Sequence, residues 1–326
     1  MMPQDISKSP VCNLAAGEEI CGKWNYARYR VRRRLGYGAT GAVYLADSTN
    51  GVVALKIGHD QMSITSEVNV LKRFSKVQGK VLGPSLIDVD DWQTRSGTYP
   101  FYAMEYLKGE TLFDFMRPRS SEWAGILLVQ LLTDLHTLHQ AGWAFGDLKP
   151  DNLLVTGPPY RIRWIDVGGT TVMDRSIKEY TEFFDRGYWG KGSRKAEPSY
   201  DLFSAGMVMV NLAYPSRFTK KSDPDKQIQE VIKGSPMLKP YSYILEKAWN
   251  GKYKYAEEMR NELVLLLNEK DKRSRPQNRK PAVQKSAVQK TRVAQKKKQK
   301  SFFAETFLVF TFVFIVYLFY MLGQTM

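Results

Sequence analysis

The residues best suited to chemistry are Asp147, Lys149 and Asn152, in the run Phe145-Gly146-Asp147-Leu148-Lys149-Pro150-Asp151-Asn152-Leu153-Leu154. An acid, a lysine two residues on and an amide five residues on, in a loop before an apolar strand, suit phosphoryl transfer. Asp147 takes or orients a substrate hydroxyl, Lys149 neutralises the γ-phosphate, and Asn152 offers an oxygen to Mg²⁺. Asp, Pro and Asn also build turns for purely local reasons. Asp166, about a dozen residues later in Trp164-Ile165-Asp166-Val167-Gly168, favours the chemical reading. Its carboxylate is placed to bridge a hard cation to phosphates.

Phosphates also need a cradle. Leu35-Gly36-Tyr37-Gly38-Ala39-Thr40-Gly41-Ala42-Val43 lets backbone fold tightly where a Cβ would collide. Alone it is a weak signal, because G-x-G-x-x-G also marks dinucleotide-binding folds. Here a strand follows it and not a helix, and Val53-Ala54-Leu55-Lys56-Ile57-Gly58 arrives soon after. Lys56 then holds the α- and β-phosphates, and its apolar neighbours speak against an ordinary surface lysine. Glu67, on a helix expected over Ser66–Phe74, is the carboxylate that fixes it.

These side chains need two bodies around a cleft. VRRRLG, AVYLAD and VVALKIG have strand character, with turns at Gly-rich and Asn-Gly sequences. Beyond Trp123 the periodicity is helical, in WAGILLVQLLTDLHTLHQ, LFSAGMVMVNLAY and YAEEMRNELVLLL. The expected class is α+β, with a β-rich N-lobe and a helical C-lobe. Two cysteines (Cys12, Cys21) make no disulfide framework, and three histidines at unrelated spacings make no zinc site. The start, acidic and without an apolar run, is unlike a signal peptide, so a reducing cytoplasmic setting is expected for all but the tail.

On these motifs the stretch from Leu35 to Leu267 resembles the eukaryotic-like (Hanks-type) serine/threonine protein kinases. Met104-Glu105-Tyr106-Leu107 resembles the hinge, and Gly109-Glu110-Thr111-Leu112 the start of the next helix. Asp201-Leu202-Phe203-Ser204-Ala205-Gly206 resembles the helix anchoring the catalytic loop, and Lys149 fits the serine/threonine class and not the tyrosine class. The resemblance implies ATP and Mg²⁺, with Mn²⁺ as a substitute, and protein substrates. It implies nucleotide contacts from Leu35, Gly36, Gly38, Gly41, Val43, Ala54, Lys56, Glu67, Glu105, Leu107 and Leu154, and metal contacts from Asn152 and Asp166. Thr170, Thr171, Ser176 and Thr181 are the candidates for autophosphorylation, with transient self-association between copies. A pseudokinase is the second reading, opposed by the intact catalytic set. A small-molecule kinase is the third, opposed by Lys149-Pro150 and the Asp201 helix.

Departures from the family pattern bear on regulation. Gly146 stands where the family has an arginine that receives activation-segment phosphate, and Val167 where it has phenylalanine. Thr181-Glu182 is the expected counterpart of the Ala-Pro-Glu motif; Ala196-Glu197-Pro198 lies too close to Asp201 for the usual spacing. Lys252 then stands where the partner arginine is expected, and Arg275-Pro276 only imitates the expected pair from beyond the last helix.

The net charge of +15 is concentrated, with thirteen Lys or Arg against Asp271 between residues 270 and 300. The remainder is nearly neutral. The expected organisation is an extension over 1–25, a kinase domain over 26–269, a basic disordered linker over 270–300 and a membrane anchor over 301–326. Thr306–Leu322 would form an apolar helix about 26 Å long, enough for a thin bilayer core. The cations before it place the kinase domain on the cytoplasmic side of the cell membrane. Lys285, Lys290, Arg292, Lys296, Lys297, Lys298 and Lys300 are candidates to meet anionic lipid, sequence-nonspecific DNA, or both. With the lone C-terminal anchor, the whole chain is most similar to YabT-type kinases of endospore-forming bacteria, which implies a sporulation setting.

Overall fold

Residues 13–38, 40–75 and 82–274 are described in a computed structural model, with side chains to 269. Alternation organises the first half. In β2 (Arg28–Gly38), Tyr29 and Val31 turn inward while Arg28 and Arg30 face solvent. β1 (Glu19–Cys21), β2, β3 (Gly41–Ser48), β4 (Gly51–Gly58), β5 (Leu86–Thr94) and β6 (Gly97–Glu105) form one sheet in the order β1-β2-β3-β4-β6-β5. Neighbours in it pair antiparallel. Tyr29, Val31, Tyr44, Leu55 and Phe101 pack on one face. On the other, Ala54, Tyr102 and Met104 meet Ile64, Val68, Leu71 and Phe74 of the helix α1 (Gln61–Phe74).

α1 begins five residues before the start expected from periodicity. Asp60 caps it, accepting from Ser63 N at 2.8 Å, and Lys72 and Arg73 suit the negative end of its dipole. The folded lobe also takes in residues 13–25, expected to be an extension. β1 pairs with β2, and Asp90 of β5 accepts from the backbone N–H of Trp24 and Asn25 at 3.0 Å each. Asn25 and Tyr29 both donate to Asp88, at 2.6 Å each.

The second half is helical around a short sheet. β7 (Glu110–Thr111) leads into α2 (Leu112–Met116) and α3 (Glu122–Gln140), and β8 (Trp143–Ala144) into the loop carrying Asp147. β9 (Leu153–Thr156) and β10 (Arg161–Trp164) form an antiparallel hairpin that ends just before Asp166, and β11 (Thr171–Val172) pairs with β8. α4 (Arg186–Trp189), α5 (Pro198–Ala213), α6 (Pro224–Gly234), α7 (Ser242–Trp249) and α8 (Ala256–Ser274) follow. α5 is apolar nearly all round and runs through the core, as a fully enclosed helix must. α8 continues past the boundary expected at residue 269 into the first basic residues.

The chain divides into two units, Met1–Arg275 and Pro276–Met326. The basic residues Lys285, Lys290, Arg292, Lys296, Lys297, Lys298 and Lys300, and the apolar run Thr306–Leu322, lie outside the described residues. Among the described residues no helix is long and apolar enough to cross a membrane.

Candidate active site

The loop between β8 and β9 is held from below by Asp201. This carboxylate is wholly buried in α5, accepts from Phe145 N at 2.7 Å and Gly146 N at 2.9 Å, and lies 2.8 Å from His139 Nε2. Two glycines let the loop cross the backbone after Asp166. Gly146 has a φ of +82°, and a Cβ there would sit 2.4 Å from Gly169 O. A Cβ on Gly169 would sit 2.7 Å from that of Asp147. Gly146 is therefore more than an absent arginine: the position has no room for a side chain.

Asp147 is fixed from three sides. Lys149 Nζ donates to its Oδ2, Thr181 Oγ1 to its Oδ1 at 3.2 Å, and Asn152 Nδ2 to its backbone carbonyl at 2.7 Å. Lys149 Nζ also donates to Thr181 Oγ1 at 3.1 Å. Thr181, read from sequence as a phosphorylation candidate and as part of the Ala-Pro-Glu counterpart, clamps Asp147 and Lys149.

Across the cleft, Lys56 of β4 pairs with Glu67 of α1 at 2.6 Å and approaches Asp166 at 3.8 Å. Burial disfavours the Lys56 charge, but Asp166 and Glu67 outweigh it and hold its pKa above the ordinary lysine value. Tyr102 donates to Glu67 Oε2 at 2.7 Å; burial and the Glu67 charge push its own phenol well up. No sequence signal marked Tyr102, since a tyrosine in a strand is ordinary. Glu179 adds a further acid: carboxyl oxygens of Asp166, Glu67 and Glu179 lie 3.3, 3.4 and 3.5 Å from where a Cβ on Gly168 would be. Burial, then repulsion by Glu67 and Asp166, raises the Glu179 pKa.

The glycine loop leaves space for phosphates. A Cβ on Gly36 or Gly38 would meet nothing within 4 Å, so protein packing does not demand glycine there. Gly41 is different, with φ +151° and Ile57 O at 2.1 Å from a notional Cβ. Along the cleft, Val43 is half-buried, Ala54 buried and Leu35 exposed; Leu154 is half-buried in β9 and Leu107 is 8% exposed. Glu105 at the hinge accepts from Ser85 N at 3.2 Å and pairs with Arg163 at 3.1 Å, so its carboxylate is held within the protein. Asp166 and Asn152 offer the hard oxygens that suit Mg²⁺, the Asp166 carboxylate being half-exposed.

One departure from the family pattern is accompanied by aromatic packing, and one expectation changes. Val167 is buried, and the link between α1 and the catalytic loop runs beside it through aromatics: Phe74 to Trp164 at 6.0 Å, and Trp164 to Phe145 at 4.9 Å. The acid expected to pair with Lys252 was Glu182, and no such pair exists among the described residues. Instead Glu197 pairs with Arg186 at 2.7 Å, and Trp189 packs against Trp249 at 5.4 Å. Of the phosphorylation candidates, Thr170 is buried, Thr171 half-buried and Ser176 exposed.

The protein kinase domain family matches residues 29–290. The serine/threonine-protein kinase YabT of Bacillus subtilis (strain 168) is 52% identical over 265 residues, covering 81% of this chain and 78% of that protein. The serine/threonine-protein kinase pkn2 of Myxococcus xanthus is 33% identical over 134 residues, 40% of this chain and 16% of its own length. Human calcium/calmodulin-dependent protein kinase type 1B is 33% identical over 141 residues, 40% of this chain and 39% of its own. The last two likenesses are confined to part of the domain; the first covers most of both chains. This chain belongs to the protein kinase domain family, as a bacterial Hanks-type serine/threonine kinase similar to YabT.

Proposed function

We propose that this kinase works from a membrane anchor, phosphorylates further copies of itself as well as other proteins, and is stimulated by DNA held on its basic segment. The observation that carries the catalytic part is the clamp of Asp147 by Lys149, Thr181 and Asn152, facing the Lys56–Glu67 pair. Asp147 accepts the proton of a seryl or threonyl hydroxyl and aims its oxygen at the γ-phosphate. Lys149, between Asp147 and Thr181, meets the charge on the transferred group. Lys56 holds the α- and β-phosphates beneath the open backbone of Gly36 and Gly38, and Glu67 with Tyr102 keeps it there. The divalent metal, typically Mg²⁺ and replaceable by Mn²⁺, neutralises phosphate charge when bound to Asp166 and Asn152. Thr171 and Ser176 are the more accessible acceptors for autophosphorylation.

Anchoring rests on the apolar run Thr306–Leu322, and the cytoplasmic placement of the kinase domain on the cations before it. DNA is favoured as a partner by thirteen cations beside a nearly neutral domain, without an aromatic between residues 270 and 300, so contact is to phosphates and not to stacked bases. Copies gathered on one polymer gain effective concentration for each other's hydroxyls. The test is labelled phosphate incorporation by the full chain, with and without duplex DNA, at low and high salt. Incorporation without DNA that rises on its addition at low salt supports the reading. No incorporation by the unaltered chain overturns catalysis, and incorporation indifferent to DNA overturns stimulation.

A further inference from the structure

The β9–β10 hairpin carries a cation that the transfer chemistry leaves unused. Leu153, Val155, Ile162 and Trp164 turn into the core, while Leu154 and Arg163, opposite each other in register, turn the other way. Arg163 stands three residues before Asp166, and its side chain is 23% exposed. Its Nη2 donates to Glu105 Oε2 at 3.1 Å and to Gly83 O at 3.2 Å. Its Nε is buried without a partner among the described residues, so those two acceptors place the guanidinium. Glu105 ends β6 in the six-stranded sheet, whereas Arg163 belongs to the sheet of β7, β9 and β10. The same Glu105 oxygen accepts from Ser85 N, and Glu105 N donates to Ser85 O at 2.8 Å. Gly83 is held in its turn: a Cβ there would lie 3.3 Å from Phe74 of α1 and 3.4 Å from Val167.

The ladder bonds of each sheet fix its own strands and leave the spacing between the two sheets open. A charge-assisted bond from one sheet to the other fixes that spacing. Ala54 and Leu107 on one side and Leu154 on the other offer apolar walls that suit the flat face of a base. We propose that Arg163 is a positioning residue for the nucleotide. Tied to Glu105 and Gly83, it sets the width of the slot that takes the base, and it has no share in holding phosphates or in transfer. The proposal rests on the reading of this cleft as the nucleotide site. It assigns Arg163 to affinity for the base and leaves the rate to Asp147 and Lys149.

The experiment titrates Mg²⁺-ATP against the full chain at a fixed concentration of protein acceptor, then repeats the titration with adenosine as competitor. Adenosine carries the base and no phosphate. In Arg163→Met the KM for ATP and the inhibition constant of adenosine rise together, each by about tenfold, while kcat stays within about twofold. Arg163→Lys recovers only part of the loss, because an ammonium lacks the planar fork. Glu105→Gln keeps an oxygen for Ser85 N and weakens adenosine in the same way, and the double variant is no worse than either single one. Should urea titration show that Arg163→Met does not fold, Glu105→Gln carries the test. Unchanged inhibition by adenosine in the folded variants overturns the proposal. A loss confined to kcat, or to ATP with adenosine unaffected, also overturns it, since either places the effect at the phosphate end. If adenosine does not compete with ATP in the unaltered chain, the base slot itself is overturned and the proposal with it.

Discussion

Lys56 and Asp147 are both needed for transfer, yet they stand in different physical surroundings. Asp147 faces the cleft and touches no apolar core, so Asp147→Asn should lower kcat by about 10²–10⁴ and leave the melting temperature almost unmoved. Lys56 is 5% exposed and paired with a Glu67 that is 3% exposed. Lys56→Met therefore strands a buried charge and should cost about 3–5 kcal/mol as well as activity. Adding Glu67→Gln should recover part of that stability and none of the rate, read by urea titration beside phosphate incorporation. Gly146 supplies a second contrast. Restoring the family arginine by Gly146→Arg places a Cβ against Gly169 O at a left-handed φ, so the variant should lose activity and unfold earlier. Even Gly146→Ala should cost about 1–3 kcal/mol, measurable by the same titration.

Elements show where sequence reading works and where it stops. Lys56, Glu67, Asp147, Asn152 and Asp166 were legible because phosphoryl transfer demands fixed residue types at short, fixed spacings. The lobes were legible because alternation and helical period follow directly from which side is buried. Thr181, Tyr102 and the Arg186–Glu197 pair were not, because the chain brings them to their partners by a tertiary path that no local period encodes. α1 was started too late because its apolar stripe begins after its cap at Asp60. The α4–α5 connection can be tested on this basis. Arg186 donates to Ser193 O, Ser199 Oγ and Glu197 Oε1, each at 2.7 Å. Burial alone would raise the Glu197 pKa, but Arg186 and Ser199 outweigh it and hold it below the ordinary glutamate value. A depressed folded pKa stabilises above the ordinary range and loses that contribution as pH falls through it. Arg186→Ala should cost about 2–3 kcal/mol near neutrality, with a smaller difference from the unaltered protein at acid pH. Arg186→Lys should recover little, because lysine lacks the fork that serves three acceptors.

At the scale of the whole molecule, a nearly neutral folded unit precedes a strongly basic segment and an apolar one. If about six to ten of the tail cations meet DNA phosphates, affinity should fall by three to five decades between roughly 50 and 200 mM salt. Fluorescence anisotropy with duplexes of unrelated sequence should give the same curve. Changing Lys296, Lys297, Lys298 and Lys300 to Ala should flatten it, and an unchanged slope would mean that DNA is held elsewhere. The other end of the chain has its own consequence. Cutting at Tyr26, shortly before the family match begins at residue 29, removes β1 and the N–H groups of Trp24 and Asn25 that satisfy the buried Asp90. That leaves the outer side of β2 as a bare row of N–H and C=O groups, a template on which a second molecule can add a strand. A shortened kinase of this kind should emerge as soluble aggregates on size-exclusion chromatography, while one that keeps residues 13–25 should stay monodisperse.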